Sequence, residues 1–71
     1  MNQYIVFFQI SYNGVTSLKE ALVTTQPPTL EVMQATKLQL LRDIIATDIP
    51  DFDAESNIEF VYTAPWMLLA E

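Results

Sequence analysis

Large apolar side chains recur along this chain in rhythms that change from one segment to the next. Residues 3–12, QYIVFFQISY, are rich in the β-branched and aromatic residues that suit a pleated strand. At a period of two, Tyr4, Val6, Phe8, Ile10 and Tyr12 share one face, and Gln3, Ile5, Phe7, Gln9 and Ser11 share the other. The first face is apolar throughout and the second is apolar in its middle. A strand of this kind is expected at the centre of a sheet, covered on both sides for part of its length.

Asn13-Gly14 follows, the strongest short signal for a two-residue hairpin, because a type I′ turn needs positive φ at both central positions. Such a turn sets Tyr12 opposite Val15, Phe8 opposite Lys19 and Tyr4 opposite Val23. The return segment, residues 15–25, carries two signals. Ser17 and Glu20 have capping-box spacing, and LKEAL suits a helix. The turn aims the chain straight back, and LVTT suits a strand. Strand is the favoured reading for residues 17–23, with helix the alternative.

Gln26-Pro27-Pro28-Thr29 breaks the pattern, since neither proline fits a ladder or a helix interior. Thr29 is a good N-cap, and Glu31 falls in a first turn, where the helix dipole favours acid. Residues 30–47 then follow a helical period. Leu30, Met33, Leu38, Leu40, Leu41, Ile44 and Ile45 fall within a stripe roughly 160° wide. Glu31, Gln39, Arg42 and Asp43 lie opposite. Gln34 and Lys37 sit inside the stripe, and Lys37 can reach water from there along its alkyl stem. The stripe reads as core packed on a sheet, with one edge of its unusual width open to a second chain.

Residues 48–57, DIPDFDAESN, form a polar connection interrupted by Pro50, with Ile49 and Phe52 as inward anchors. Residues 58–63, IEFVYT, alternate again: Ile58, Phe60 and Tyr62 on one side, Glu59, Val61 and Thr63 on the other. Pro65 ends this third strand, and the chain closes on Trp66-Met67-Leu68-Leu69-Ala70-Glu71.

The elements predict an α+β fold in one small domain, residues 1–71: β-β-α-β, a three-stranded mixed sheet of order 2-1-3 with one long helix packed on one face. The helical crossover is expected to set the third strand beside the first and parallel to it.

Composition changes this picture in one respect, the means of support. A 71-residue chain buries only about 60% of its unfolded surface. It has neither Cys nor His, which removes disulfides and the usual zinc ligand sets. Oligomerisation remains, and an apolar content of 51% supplies surface for it. One helix covers one sheet face. The other face still carries Ile5, Phe7, Val61 and, if residues 15–25 are a strand, Leu18 and Leu22. Trp66, Met67, Leu68 and Leu69 also need cover. Burying such a side chain is worth roughly 1.5–3 kcal/mol, against a total stability of about 3–5 kcal/mol for a domain this size. The tail either folds back onto its own sheet or meets a partner. Ile5, Phe7, Val61, Trp66, Met67, Leu68 and Leu69 are the candidate apolar partner-binding residues.

The formal charge is −6, from nine acids and three bases. This argues against direct nucleic-acid or anionic-membrane binding, which needs positive charge. Six of the nine acids fall between residues 43 and 59. Alternate carboxylates at Asp51, Asp53 and Glu55 superficially resemble the opening of a calcium loop. Ser56 and Tyr62 then stand where such a loop needs Gly and Glu. With Asp43, Asp48 and Glu59, the same acids define a second reading, a charge mimic that blocks the basic groove of a nucleic-acid-binding protein. Small phage-encoded inhibitors of host defence proteins are similar in size and acidity, a likeness of class that no residue motif carries. Catalysis is not expected. The serines have no His to act as base, and the single glycine, Gly14, cannot build a phosphate-binding loop. No cofactor is expected. The missing cysteines, and an N-terminus without a basic segment or cleavage site, point to a cytoplasmic protein.

The expectation is therefore a non-enzymatic interaction module, a homo-oligomer through the open sheet face and the C-terminal tail, with the acidic inhibitor as alternative.

Overall fold

A computed structural model describes residues 1–49 and 57–71. Its elements are β1 (Asn2–Tyr12), β2 (Val15–Thr25), α1 (Leu30–Asp48), β3 (Ile58–Tyr62) and β4 (Met67–Ala70). The α+β class stands, with one helix on an antiparallel sheet.

β1 and β2 form the expected hairpin. Asn13 and Gly14 both take positive φ, 49° and 80°, as a two-residue turn of this type requires. Tyr12 faces Val15, Phe8 faces Lys19 and Tyr4 faces Val23. Residues 17–23 are strand; the hairpin pairing overrides the local helix propensity. β1 is central, and the order β2-β1-β3 is as predicted.

The direction of β3 is not. It pairs with β1 antiparallel, with Ile58 facing Tyr12 and Tyr62 facing Phe8, so the sheet is not mixed. The crossover joins β2 to β3, and those two strands run the same way; β1, between them, runs opposite to both. Nineteen helical residues span about 28 Å, one pass along the sheet. α1 begins near Thr25 and ends near Lys19 and Tyr12, so the chain must next run back down β1.

A fourth strand was not foreseen. β3 occupies only Phe8–Tyr12 of its edge of β1, and β4 takes the remainder, with Ile5 facing Met67 and Tyr4 facing Leu68. Between the pairs Phe8–Tyr62 and Ile5–Met67, β1 advances three positions and its neighbour five. The two extra residues let the Thr63–Trp66 corner swing Trp66 onto the helix side. The tail thus extends the sheet and does not fold across its open face.

The helix starts where the cap predicts. Thr29 Oγ1 accepts from the Val32 N–H at 3.2 Å, and the Thr29 carbonyl from the Met33 N–H at 2.9 Å. Among the described residues the buried core is small: Tyr4, Val6, Phe8, Ile10 and Leu40. Leu41, Ile44, Ile58, Phe60, Tyr62 and Trp66 pack around it. Of the predicted stripe, Leu40, Leu41 and Ile44 join this core, whereas Leu30 and Leu38 are 73% and 61% exposed. Leu38 stands at one edge of the roughly 160° stripe and the buried Leu40 at the other, while Leu30, at its middle, is the first residue of the helix. Phe8 stacks on Phe60 with ring centroids 4.9 Å apart. Trp66 meets Tyr4 at 5.7 Å and Tyr62 at 5.8 Å, both edge-on. Tyr62 donates its hydroxyl proton to the Met33 carbonyl, tying β3 to the helix. Burial raises the Tyr62 pKa, and a backbone hydrogen bond from Lys37 acts against that rise. No helix among the described residues is long and apolar enough to cross a membrane.

Candidate docking face

Alternation along β1 sends Tyr4, Val6, Phe8 and Ile10 under the helix and Ile5, Phe7 and Gln9 to the opposite face. The hairpin register then fixes what stands beside them. Leu22 flanks Ile5, Glu20 flanks Phe7 and Leu18 flanks Gln9. On the other edge Met67 flanks Ile5 and Val61 flanks Gln9. Thr63 continues that register, its N–H donating to the Phe7 carbonyl at 3.1 Å. At the hairpin end the face turns polar with Thr16, Ser11 and Glu59, where Ser11 Oγ and Thr16 Oγ1 share a hydrogen bond of 3.0 Å.

The result is an apolar field with Phe7 at its centre and Leu18, Val61, Leu22 and Met67 at its corners. Leu18 is 76% exposed, Leu22 62%, Val61 54% and Met67 52%. Leu69 continues the field, lining a recess with Ile5 and Leu22. Five large apolar residues are thus open to water on a face that no element of the described chain covers.

Of the predicted apolar site residues, Ile5, Phe7, Val61, Met67 and Leu69 come together here. Trp66 and Leu68 do not. Trp66 is half-buried on the helix side, where its Nε1 has no acceptor among the described residues, and Leu68 faces Tyr4. Leu18 and Leu22 belong to the field and are missing from that site set; the Asn-Gly register was the signal for them.

The acidic set is divided. Asp51, Asp53 and Glu55 lie outside the described residues, as do Phe52 and most of the calcium-loop likeness. Asp43 and Asp48 share a groove between helix and β2. Asp48 pairs with Lys19 at 3.2 Å, and Asp43 accepts from Gln39 at 3.1 Å. Glu59, opposite Ser11, is on the other side of the sheet. Among the described residues no three carboxylates converge as metal ligands.

Comparison with protein-family models, with curated proteins and with solved structures found no match to this chain.

Proposed function

We propose that this chain is a non-enzymatic interaction module that associates with a second copy of itself through the open sheet face, with Met67 and Leu69 of β4 extending that face. The observation that carries the reading is the exposure of Leu18, Leu22, Val61 and Met67 around Phe7. A cluster of exposed apolar residues on a small protein marks a contact site.

The outer edge of β2, unpaired among the described residues, is a poorer interface. Lys19 and Glu20 stand at its middle, and charges on an edge strand discourage pairing. The acidic-inhibitor reading has less support, because Asp48 is already ion-paired and Glu59 lies on the opposite face from Asp43 and Asp48.

Two chains of charge −6 repel one another, so screening should strengthen self-association. A charge-driven complex with a basic protein should instead weaken as salt rises. Light scattering after size exclusion, from low to high salt, tests this. A dimer mass that holds or tightens with salt is expected, and Phe7→Asp should return it to monomer. A monomer at every salt concentration, at protein concentrations of about 100 μM (an affinity near −5.5 kcal/mol), would reject the reading.

A further inference from the structure

We infer that the second copy lies sheet on sheet against the first, related by a twofold axis running along β1. This rests on the self-association proposed above and adds its geometry. An open face about 35 Å long and 14 Å wide, from eleven-residue strands at three strand spacings, projects to about 500 Å². Two such faces bury on the order of 1,000 Å² or more, the lower bound for a specific interface. A second copy therefore suffices as occupant.

The pattern on the face selects the axis. A twofold axis along β1 keeps each level of the strand and exchanges the β2 side for the β3–β4 side. Leu18 then meets Val61 of the second copy, Leu22 meets Met67, and Ile5 and Phe7 each meet themselves. The two acids fall on hydroxyls, Glu20 on Thr63 and Glu59 on Thr16. An axis across the strands matches carbon to carbon as well, Leu18 to Leu22 and Val61 to Met67. It also sets Glu20 on Glu20, two carboxylates facing one another where water has been expelled, which is costly. Packed sheets lie about 10 Å apart with strands within about 30° of alignment, so these correspondences hold to within a neighbouring position.

Because the chain has no cysteine, introduced thiols read the axis directly. Opposed positions of two packed sheets are about 10 Å apart, too far for a disulfide, which needs Cα atoms closer than about 7 Å, so a thiol-specific cross-linker of about 10 Å reach is the probe. An equimolar mixture of the L22C and M67C variants, and the I5C variant alone, should form covalent dimers on a denaturing gel, while a mixture of L18C and L22C stays monomeric there. The reverse pattern, or a dimer mass by light scattering with no cross-link between L22C and M67C, overturns the axis and leaves self-association standing. A monomer mass with no cross-link overturns both. Thr63→Lys is an independent check at an exposed position. It sets a cation opposite Glu20 of the second copy and should tighten the dimer about two- to fivefold at low salt, a gain that high salt removes. An unchanged affinity at low salt counts against the axis.

Discussion

The two faces of β1 are made from the same materials and meet opposite fates. Toward the helix, Tyr4, Val6, Phe8 and Ile10 are buried, and aromatic neighbours from β3 and the Thr63–Trp66 corner close around them. Away from it, Ile5 and Phe7 are half-buried by Leu18, Leu22, Val61 and Met67, which are themselves exposed. What separates the faces is the cover that one helix can supply. A single α-element on a sheet of this width closes one side, and the other side becomes the place where a partner contributes most.

The sharpest way to break this comparison is to truncate one phenylalanine on each face. Phe8→Ala removes a buried ring that stacks on Phe60 and should cost about 3–5 kcal/mol, comparable to the whole stability expected of so small a domain. Phe7→Ala should cost less than about 1.5 kcal/mol in dilute monomer and act mainly on association. Urea unfolding at low concentration, together with light scattering at high concentration, separates the two. Equal losses of stability would mean that the faces are not distinct.

The C-terminal run repeats the contrast within two residues. Trp66 packs edge-on against Tyr4 and Tyr62, whereas Met67 stands on the open face. Trp66→Ala should lower stability by about 2–3 kcal/mol, below the range for a fully buried Trp, whatever the protein concentration. Trp66→Phe should be milder, because it also removes a buried N–H that has no acceptor among the described residues. Met67→Asp should leave the monomer's melting temperature within about 4 °C, as exposed substitutions do, and abolish the dimer. Deleting residues 65–71 removes both contributions and should unfold the chain.

Much of this was legible in the sequence, and what was not has physical causes. Period-two alternation and the Asn-Gly turn fix the faces and register of β1 and β2, because a two-residue loop leaves no freedom in the pairing. Thr29 and the helical period fix α1. The direction of β3 was also available from the chain order, since the crossover leaves β2 and sets β3 parallel to it, hence antiparallel to the β1 between them. β4 carries little strand propensity in Met-Leu-Leu-Ala. It is recruited because β3 leaves the lower edge of β1 with unpaired backbone groups. The two-residue offset between β3 and β4 is a tertiary feature. Because that offset is even, counting by twos from Val61 does lead to Met67 and Leu69 on the side of Ile5, and from Tyr62 to Trp66 and Leu68 on the helix side; the local pattern lacks only the sign that the chain returns to β1 after the corner.

A smaller effect tests the seam that closes the covered face. Tyr62→Phe removes the hydrogen bond to the Met33 carbonyl and should cost about 1 kcal/mol at neutral pH. The difference from wild type should then change with alkali. Burial raises the Tyr62 pKa above its ordinary 10.0, so the folded state holds the neutral phenol. That contribution is fully present below pH 10 and is lost as the pH climbs past 10 through the folded pKa, since the unfolded chain releases the proton first. Wild type should lose its advantage over the Phe variant in that window, measured by urea midpoints at each pH. A constant difference would place the hydroxyl in water.

The smallest effect on stability concerns the β2 edge, and it completes the comparison by setting an edge against a face. The Lys19–Asp48 pair, 3.2 Å apart and partly exposed, is worth no more than about 0.5 kcal/mol. Lys19→Val should therefore leave the unfolding midpoint almost unmoved. It also takes a charge from the middle of an eleven-residue strand whose outer edge is unpaired among the described residues, and such charges keep edges from joining. If the sheet face is the interface and the edge is guarded, the variant should keep the dimer and add slow, concentration-dependent growth of larger species in light scattering. If the edge itself formed the dimer, replacing Lys19 by a β-branched apolar residue would strengthen that same dimer and produce nothing larger.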